Sequence, residues 1–343
     1  MGVINNRYEF MLIFDCENGN PNGDPDTENL PRIDSQDGHG LVSDASLKRK
    51  IRDLVARIGE KIFVEHDINL NRKIFEAREK TGKAGKATKE AVDQAAKLMC
   101  ETYFDVRTFG AVMSTGANAG QLVGPVQIIP ARSVDPIHIM DWGITRVAVT
   151  ETVKNAKSLG DYEVWEVNQP KDQLRTMGRK ALIPYGLYVA KGFISAFDAE
   201  NTGFSEDDLQ LLFEALLNMF EHSRSGSRGM MSARKLVIFK HIGDAIKPEH
   251  SEQQAKLGRV PAHYLLDLGS VVSITRKDTN RPPRAFNDYT VTVDASVLPK
   301  GIEMLVLDMW DMDLYTNGWV SRPQREPDMK SKPPEGSRKP KST

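Results

Sequence analysis

Two apolar runs bound what this chain can become: YEFMLIF at residues 8–14 and YGLYVAKGFISAF at residues 185–197. Both are strand-sized, far short of the roughly 20 residues a membrane-spanning helix needs. The first runs into FDCENGNPNGDPD, where glycines 19 and 23, prolines 21 and 25 and asparagines 18, 20 and 22 cannot continue a strand. That composition specifies consecutive turns. A helix is expected from about Asp44, because Leu47, Ile51, Leu54, Val55 and Ile58 recur at helical spacing. After the second run, SEDD at 205–208 is a capping box opening a helix whose core face is Leu209, Leu212, Phe213, Leu216 and Phe220. LVIFKH then reads as a strand, with further strands near 264–275, 287–294 and 302–308.

Stripped of insertions, the order is strand, helix, β-rich segment, strand, helix, strand. This is the split β-α-β order of ferredoxin or RRM-like folds, so the expected class is α+β with an antiparallel sheet. Residues 1–59, 105–152 and 184–320 would form that body. Residues 60–104 are charge-rich and locally helical around KTGKAGKAT, as an inserted helical subdomain would be. Residues 106–150 hold short β-like runs separated by glycines. Residues 153–183 are polar, with six Lys/Arg and the apolar Val164, Trp165, Leu174 and Met177. The proline-rich, basic 321–343 segment is expected to be disordered.

The chain has 343 residues, enough to bury a large core, and a formal net charge of −1. No global polyelectrolyte field announces a nucleic-acid partner, so any basic surface must be local. Cys16 and Cys100 form no C-x-x-C pair, which excludes a disulfide framework or cysteine zinc site and fits a reducing cytosol. MGVINNRYEF lacks the build of a signal peptide, so a soluble cytoplasmic protein without a membrane partner is expected.

Asp15, Glu17, Asp24 and Asp26 give the opening loop the look of a cation cage. Pro21 and Pro25 break the alternation an EF-hand needs, however, and a strand precedes the loop. A structural loop whose side chains cap its own backbone is expected, with no metal or cofactor. GKAGKAT lacks the first glycine of a P-loop, since Lys80 stands there. The seven histidines show no metal-ligand spacing, and no G-x-S-x-G is present.

What stands out is local basicity without local acid. Residues 223–240 contain Arg224, Arg228, Arg234, Lys235 and Lys240 and no Asp or Glu. A second patch, Lys48, Arg49, Lys50 and Arg52, lies on the first helix. A third combines Arg107 and Phe109 with the glycines of TGANAG and, downstream, Arg132 and Arg146. Guanidinium forks and glycine-freed amides suit phosphates. An RRM-like sheet flanked by basic loops commonly holds single-stranded RNA. Solvated charged faces, or patches that meet acidic protein surfaces, are the alternative reading. KGFISAF imitates part of an RRM motif, but Ile194 replaces the expected Gly or Ala, so its residues are assigned to the core.

Taken in order, NGNPNGDP, LVSDASLKRKIRDLV, DVRTFGAVM, GPVQ, ARSVDPI, ITR and TMGRKALIPYGLYVAKGFISA resemble the backbone subunit of CRISPR Cascade, subtype I-C above all. The motifs lie between residues 10 and 240. The resemblance implies an RRM-like palm, helical fingers at 60–104 and a thumb at 153–183, with copies stacked along CRISPR RNA. Other Cascade subunits, namely the guide 5′-end-capping and processing subunit and the large subunit, would be partners, as would target DNA paired to the guide in an R-loop. It further implies no catalytic residue. Lys48, Arg49 and Arg52 would contact phosphates, with Arg107, Phe109, Arg132, Arg146 and the turn marked by Ser114, Thr115, Gly116 and Gln121 along the same track. Arg179 and Lys180 would sit at the thumb base, Arg228 in the Gly/Arg loop, and Met177 or Leu174 would wedge a displaced base. The alternative is a metal-dependent ribonuclease, as in related RNA-targeting CRISPR complexes, using Asp15, Asp24 or Asp26.

Overall fold

The computed structural model describes residues 2–81 and 88–322 of the chain. The strands that organise it are β1 (Tyr8–Gly19), β2 (His39–Val42), β3 (Val126–Ile128), β4 (Ala131–Pro136), β5 (Met140–Arg146) and β6 (Thr176–Ile194). They continue with β7 (Met230–His241), β8 (Val272–Arg276), β9 (Tyr289–Val293), β10 (Ile302–Leu307) and β11 (Val320–Ser321). The main sheet runs β11-β10-β7-β1-β6-β4-β2, with β3 and β5 also paired to β6. Every pairing in it is antiparallel. In the centre, β7-β1-β6-β4 places the strands of the expected β-α-β-β-α-β string in the order fourth, first, third, second.

Helices α1 (Asp44–Arg57), α2 (Leu70–Lys80), α3 (Lys89–Thr102), α4 (Phe104–Phe109), α5 (Leu159–Asn168), α6 (Ala196–Thr202) and α7 (Glu206–Asn218) complete the elements used below. Ser43 caps α1 by accepting from the Ser46 amide. The capping box of α7 forms between Ser205 and Asp208.

Strand β1 is apolar without interruption because both faces of the sheet are covered. Side chains alternate along a strand. Tyr8, Phe10, Leu12, Phe14 and Cys16 accordingly enter the core under α1 and α7. Met11 and Ile13 point the other way, into a second core with Leu265, Leu266, Val271, Val272, Tyr289 and Leu298. That second core is roofed by the β8–β9 hairpin, so the sheet face opposite the helices is filled with side chains. Phe14 ties the first core together, stacked on Tyr188 at 5.4 Å and tilted against Phe220 at 5.1 Å.

The helical insertion has a third core of its own, with Phe63, Ile74, Ala77, Ala95, Met99 and Cys100. It extends past residue 104, because Val106, Met113 and Ala119 share that core. In place of a β-like run, residues 104–109 form the short helix α4, and Gly110–Val112 then pairs with Gln121–Val123. The reason is side-chain anchoring: Asp105 and Arg107 both bond into neighbouring elements. The KTGKAGKAT break falls largely on residues 82–87, and the basic tail on 323–343, outside the described residues. Val320 and Ser321 themselves pair with Met304 and Glu303.

Residues 140–182 form a two-stranded ribbon in which β5 pairs with the first seven residues of β6. It starts at Met140, inside the stretch the sequence assigns to the main body, and it carries α5, none of whose residues is buried. Trp142, Ile144, Val147, Val167 and Met177 are all exposed there.

Candidate nucleic-acid interface

The opening loop is built by its own polar side chains. Asn20 donates through its amide nitrogen to the Asn29 carbonyl at 2.7 Å, and Asn22 accepts from the Ser43 amide at 2.8 Å. Asp24 accepts from the Asp26 amide at 3.2 Å and pairs with Arg32 at 3.2 Å. These contacts weld the loop to the start of α1. The loop's carboxylates do not converge. Asp15 lies buried on the other sheet face, where its Oδ2 accepts from Tyr185 Oη and Arg234 Nε, each at 2.9 Å. Burial raises its pKa, opposed by Arg234 and Tyr185. Among the described residues, no group of three His, Cys, Asp or Glu is arranged to hold a metal ion.

The Gly/Arg loop at 223–229 docks on this loop. The Asn20 amide donates to the Ser227 carbonyl at 2.8 Å. The approach is close enough to demand two glycines. A Cβ on Gly19 would lie 1.9 Å from the Arg228 carbonyl oxygen, and one on Gly229, at φ +62°, would lie 2.4 Å from the Glu17 oxygen.

Between the two loops and α1 opens a polar cleft of about 370 Å³, lined by Asn20, Asn22, Ser46, Lys50, Ser227 and Arg228 among others. Lys50 is only 6% exposed. Its ammonium donates to Ser46 Oγ at 3.2 Å and, among the described residues, is in no ion pair. Burial and then the nearby Arg228 guanidinium depress its pKa to about 8, with Asp53 opposing them. Arg228 is exposed and holds Ser223 through Nη1, at 2.6 Å to Oγ and 3.0 Å to the carbonyl. Lys180, at the ribbon base, donates to the Gly226 carbonyl of the same loop. Lys50 and Arg228 thus line one cleft, Lys180 bonds to the loop that carries Arg228, and among the described residues none of the three is in an ion pair with a carboxylate.

The other expected contact residues lie elsewhere and have different company. Lys48 pairs with Asp44 at 3.1 Å and Arg49 with Asp53 at 2.8 Å. Arg52 pairs with the buried Asp105 at 2.8 Å. Lys48 and Arg52 both lie over the ring of Phe109, which is itself buried. Arg107 grips Asp208 with two nitrogens, at 2.9 and 2.7 Å, and so ties α4 to the cap of α7. Arg132 is bound by Asp34 and Asp37. Ser114, Thr115, Gly116 and Gln121 lie on the hairpin beside the insertion, where Thr115 Oγ1 donates to Asn71 at 2.8 Å. Arg146, Met177 and Arg179 lie along the ribbon. Arg146 donates to the Ala148 carbonyl at 2.9 Å, and Arg179 is 3.9 Å from Asp141. Leu174 helps line a second pocket, of about 390 Å³, with Tyr162 and Trp165.

Sequence reasoning placed Lys50 in a basic patch without singling it out from its neighbours, and passed over Asn20, Ser46 and Ser227. The signal for Lys50 was available. It stands three residues after Leu47 and four before Leu54, on the apolar stripe of α1, where a lysine must be buried. Of the KGFISAF residues assigned to the core, Ile194 and Ala196 are buried and Phe193 packs against the second core, whereas Phe197 is exposed.

Fold and site together define an α+β protein with a large antiparallel sheet, closed on both faces, with cations at one end that have no ion-paired carboxylate among the described residues. The family model described as CRISPR-associated protein Cas7 matches residues 6–294, and the chain belongs to that family. A curated relative, the CRISPR-associated protein Cas7 of Haloferax volcanii, is 27% identical over 233 residues, which is 60% of this chain. The match covers 62% of that relative, so this chain spans less than two thirds of its length. Two solved chains are also similar. One, from a "CRISPR RNA-guided surveillance complex, pre-nicking", has a TM-score of 0.42 at 14% identity over 74% of this chain and 84% of the other. The second, from a "CRISPR RNA-guided surveillance complex", has a TM-score of 0.36 at 15% identity over 73% and 75%.

Proposed function

We propose that this protein is the non-catalytic backbone subunit of a CRISPR Cascade complex, of subtype I-C, and that it polymerises along CRISPR RNA. Beside the family membership, one observation carries the reading: Lys50 and Arg228 line one cleft, with Lys180 bonded to the same loop, and among the described residues none of them is ion-paired with a carboxylate. Such a site attracts phosphate and does not read bases, since backbone contacts position a strand without specifying its sequence. Specificity then belongs to pairing between guide and target DNA. Because the sheet's second face is roofed, the RNA path runs along the loop end and not across the sheet. In this reading the central sheet is an RRM-like palm, the insertion the fingers, and the 140–182 ribbon a thumb whose exposed apolar side chains meet a neighbouring copy and a displaced base. The guide 5′-end-capping and processing subunit and the large subunit are its partners in this reading.

A non-catalytic role is supported by the dispersal of the loop carboxylates, with Asp15 held by Arg234 and Asp24 by Arg32. Two measurements test the proposal. The subunit purified alone at moderate salt is expected to carry RNase-sensitive, mixed-sequence nucleic acid that leaves at high salt. The assembled complex, incubated with complementary RNA and magnesium, is expected to leave that RNA intact. Regularly spaced cuts would restore the ribonuclease reading.

A further inference from the structure

We infer that residues 244–257 form a flap latched through His241, and that a second proton on that histidine releases it. The latch lies at the opposite end of β7 from the loop cleft, the full 12-residue length of the strand and roughly 35 Å away. His241 is fully buried, and its two ring nitrogens have different partners. The Arg259 amide donates to Nδ1 at 2.7 Å. A backbone amide cannot accept, so Nδ1 carries no proton and the imidazole is neutral. Its one proton is on Nε2 and is donated to Glu9 Oε2 at 2.6 Å. Glu9 is equally buried and holds Arg7 Nη2 through Oε1. On the other side of β7, β10 sets the apolar Ile302 opposite His241. Glu9, Arg7 and Arg259 are thus the charged residues around the ring, and the Arg259 guanidinium is occupied by Asp244. A second proton would place an N–H at Nδ1 against the Arg259 N–H. Two donors cannot share that contact, so the amide must leave. Glu9 remains as the counter-ion of the imidazolium, which keeps the buried charge paired.

The segment that Arg259 anchors is built to move. Helix α8 (Pro248–Leu257) lies between Gly243, at φ +74°, and Gly258, at φ +107°, and only its Ala255 is buried. The two ends of the flap are clasped by Arg259, whose Nε and Nη2 donate to the two Asp244 oxygens. Its further ties are polar as well. Arg7 donates to the Ala255 and Leu257 carbonyls at 2.9 and 3.1 Å, and Lys256 pairs with Glu200. A segment with so little buried apolar surface opens at low cost. It walls a cleft of about 810 Å³ whose other side is Asn5, Asn6, Lys240 and Ile242, and opening widens that cleft. Asp244 is not the trigger. The Arg259 hydrogen bond holds its pKa below the ordinary carboxylate value, so it stays ionised in mild acid.

The test uses the full chain freed of nucleic acid, taken from about pH 8 to about pH 5, where histidine is the usual switch. Hydrogen exchange read by mass spectrometry, corrected for the pH dependence of intrinsic exchange, follows the flap. Nitrogen-15 NMR of the seven labelled histidines follows the second proton of His241. Exchange within residues 244–259 should rise roughly tenfold as pH falls, the effect of one lost hydrogen bond. Its midpoint should coincide with the protonation of His241. His241→Asn keeps an acceptor near the Nδ1 position and takes no proton, so it should hold exchange flat. Asp244→Asn, at the surface, loosens the clasp and should raise exchange of the flap at every pH. If His241→Asn folds poorly, the coincidence of the two wild-type midpoints decides. Flat wild-type exchange, midpoints that differ, or a rise that survives in folded His241→Asn would each overturn the inference. None of these readouts involves RNA, so their failure leaves the scaffold reading untouched.

Discussion

At the scale of single residues, Lys50 ties stability to pH in a direction that can be worked out. Its folded pKa of about 8 lies below the ordinary lysine value of 10.5. Between those values the unfolded chain binds more protons than the folded one, so stability rises with pH across that window. Below it, Lys50 is charged in both states and costs the fold up to roughly 3 kcal/mol. Lys50→Met should therefore make the RNA-free protein more stable near neutral pH, with the advantage shrinking toward pH 10. Denaturant melts of both proteins at several pH values check this, and parallel curves would contradict it. Gly229 tests the loop contact in the same way. Gly229→Ala combines a positive φ with a clash against the Glu17 carbonyl and should cost about 2 kcal/mol or more in the same melts. Position 229 is legible only as a glycine in sequence. The partner that makes it necessary lies some 210 residues away, and no local pattern reveals that.

Among elements, α1 shows how far composition misleads. Its basic face reads as a phosphate-binding surface, yet Arg52 is the counter-ion of buried Asp105, which also accepts from the Phe63 and Val64 amides at 2.5 and 3.0 Å. Sequence reasoning expects Lys48→Ala with Arg52→Ala to lower RNA affinity without unfolding the chain. The pairing of Arg52 requires a different outcome: the double variant should lose about 2–4 kcal/mol, nearly all through Arg52, because it strands a buried charge. Single-variant melts separate the two, and a silent Arg52→Ala would contradict this. The charges were legible in sequence; the partner of Arg52, 53 residues downstream, was not. The ribbon makes the opposite case. Met177 is 81% exposed, so Met177→Ala should change stability by no more than about 0.5 kcal/mol. The same variant should impair assembly on RNA, read by sedimentation of protein with a long guide. Normal filaments would remove Met177 from the proposed contact between copies.

For the whole molecule, the strand and helix order around the central sheet was legible because period-2 and period-3.6 patterns report burial directly. The first long apolar run and the second as far as Ile194 are central strands, the second ending in the helix α6 that Ser195 caps. The SEDD box opens α7 as expected. The roof over the second face was not legible as a roof. The strands expected near 264–275 and 287–294 do not announce the surface they cover. The first is a strand only over Val272–Arg276, after a short helix at His263–Leu266. Only the contacts of this hairpin with Met11 and Ile13 close that face. Closing it moves the expected nucleic-acid path from the sheet to its end. The central claim is that this end grips a phosphate backbone without reading bases. Its most direct test is the affinity of the RNA-free subunit for two RNAs of equal length and unrelated sequence, measured over a range of salt. The account predicts equal affinities at every salt concentration and a steep linear fall of log K with log salt. A strong preference for one sequence, or binding that ignores salt, would contradict it.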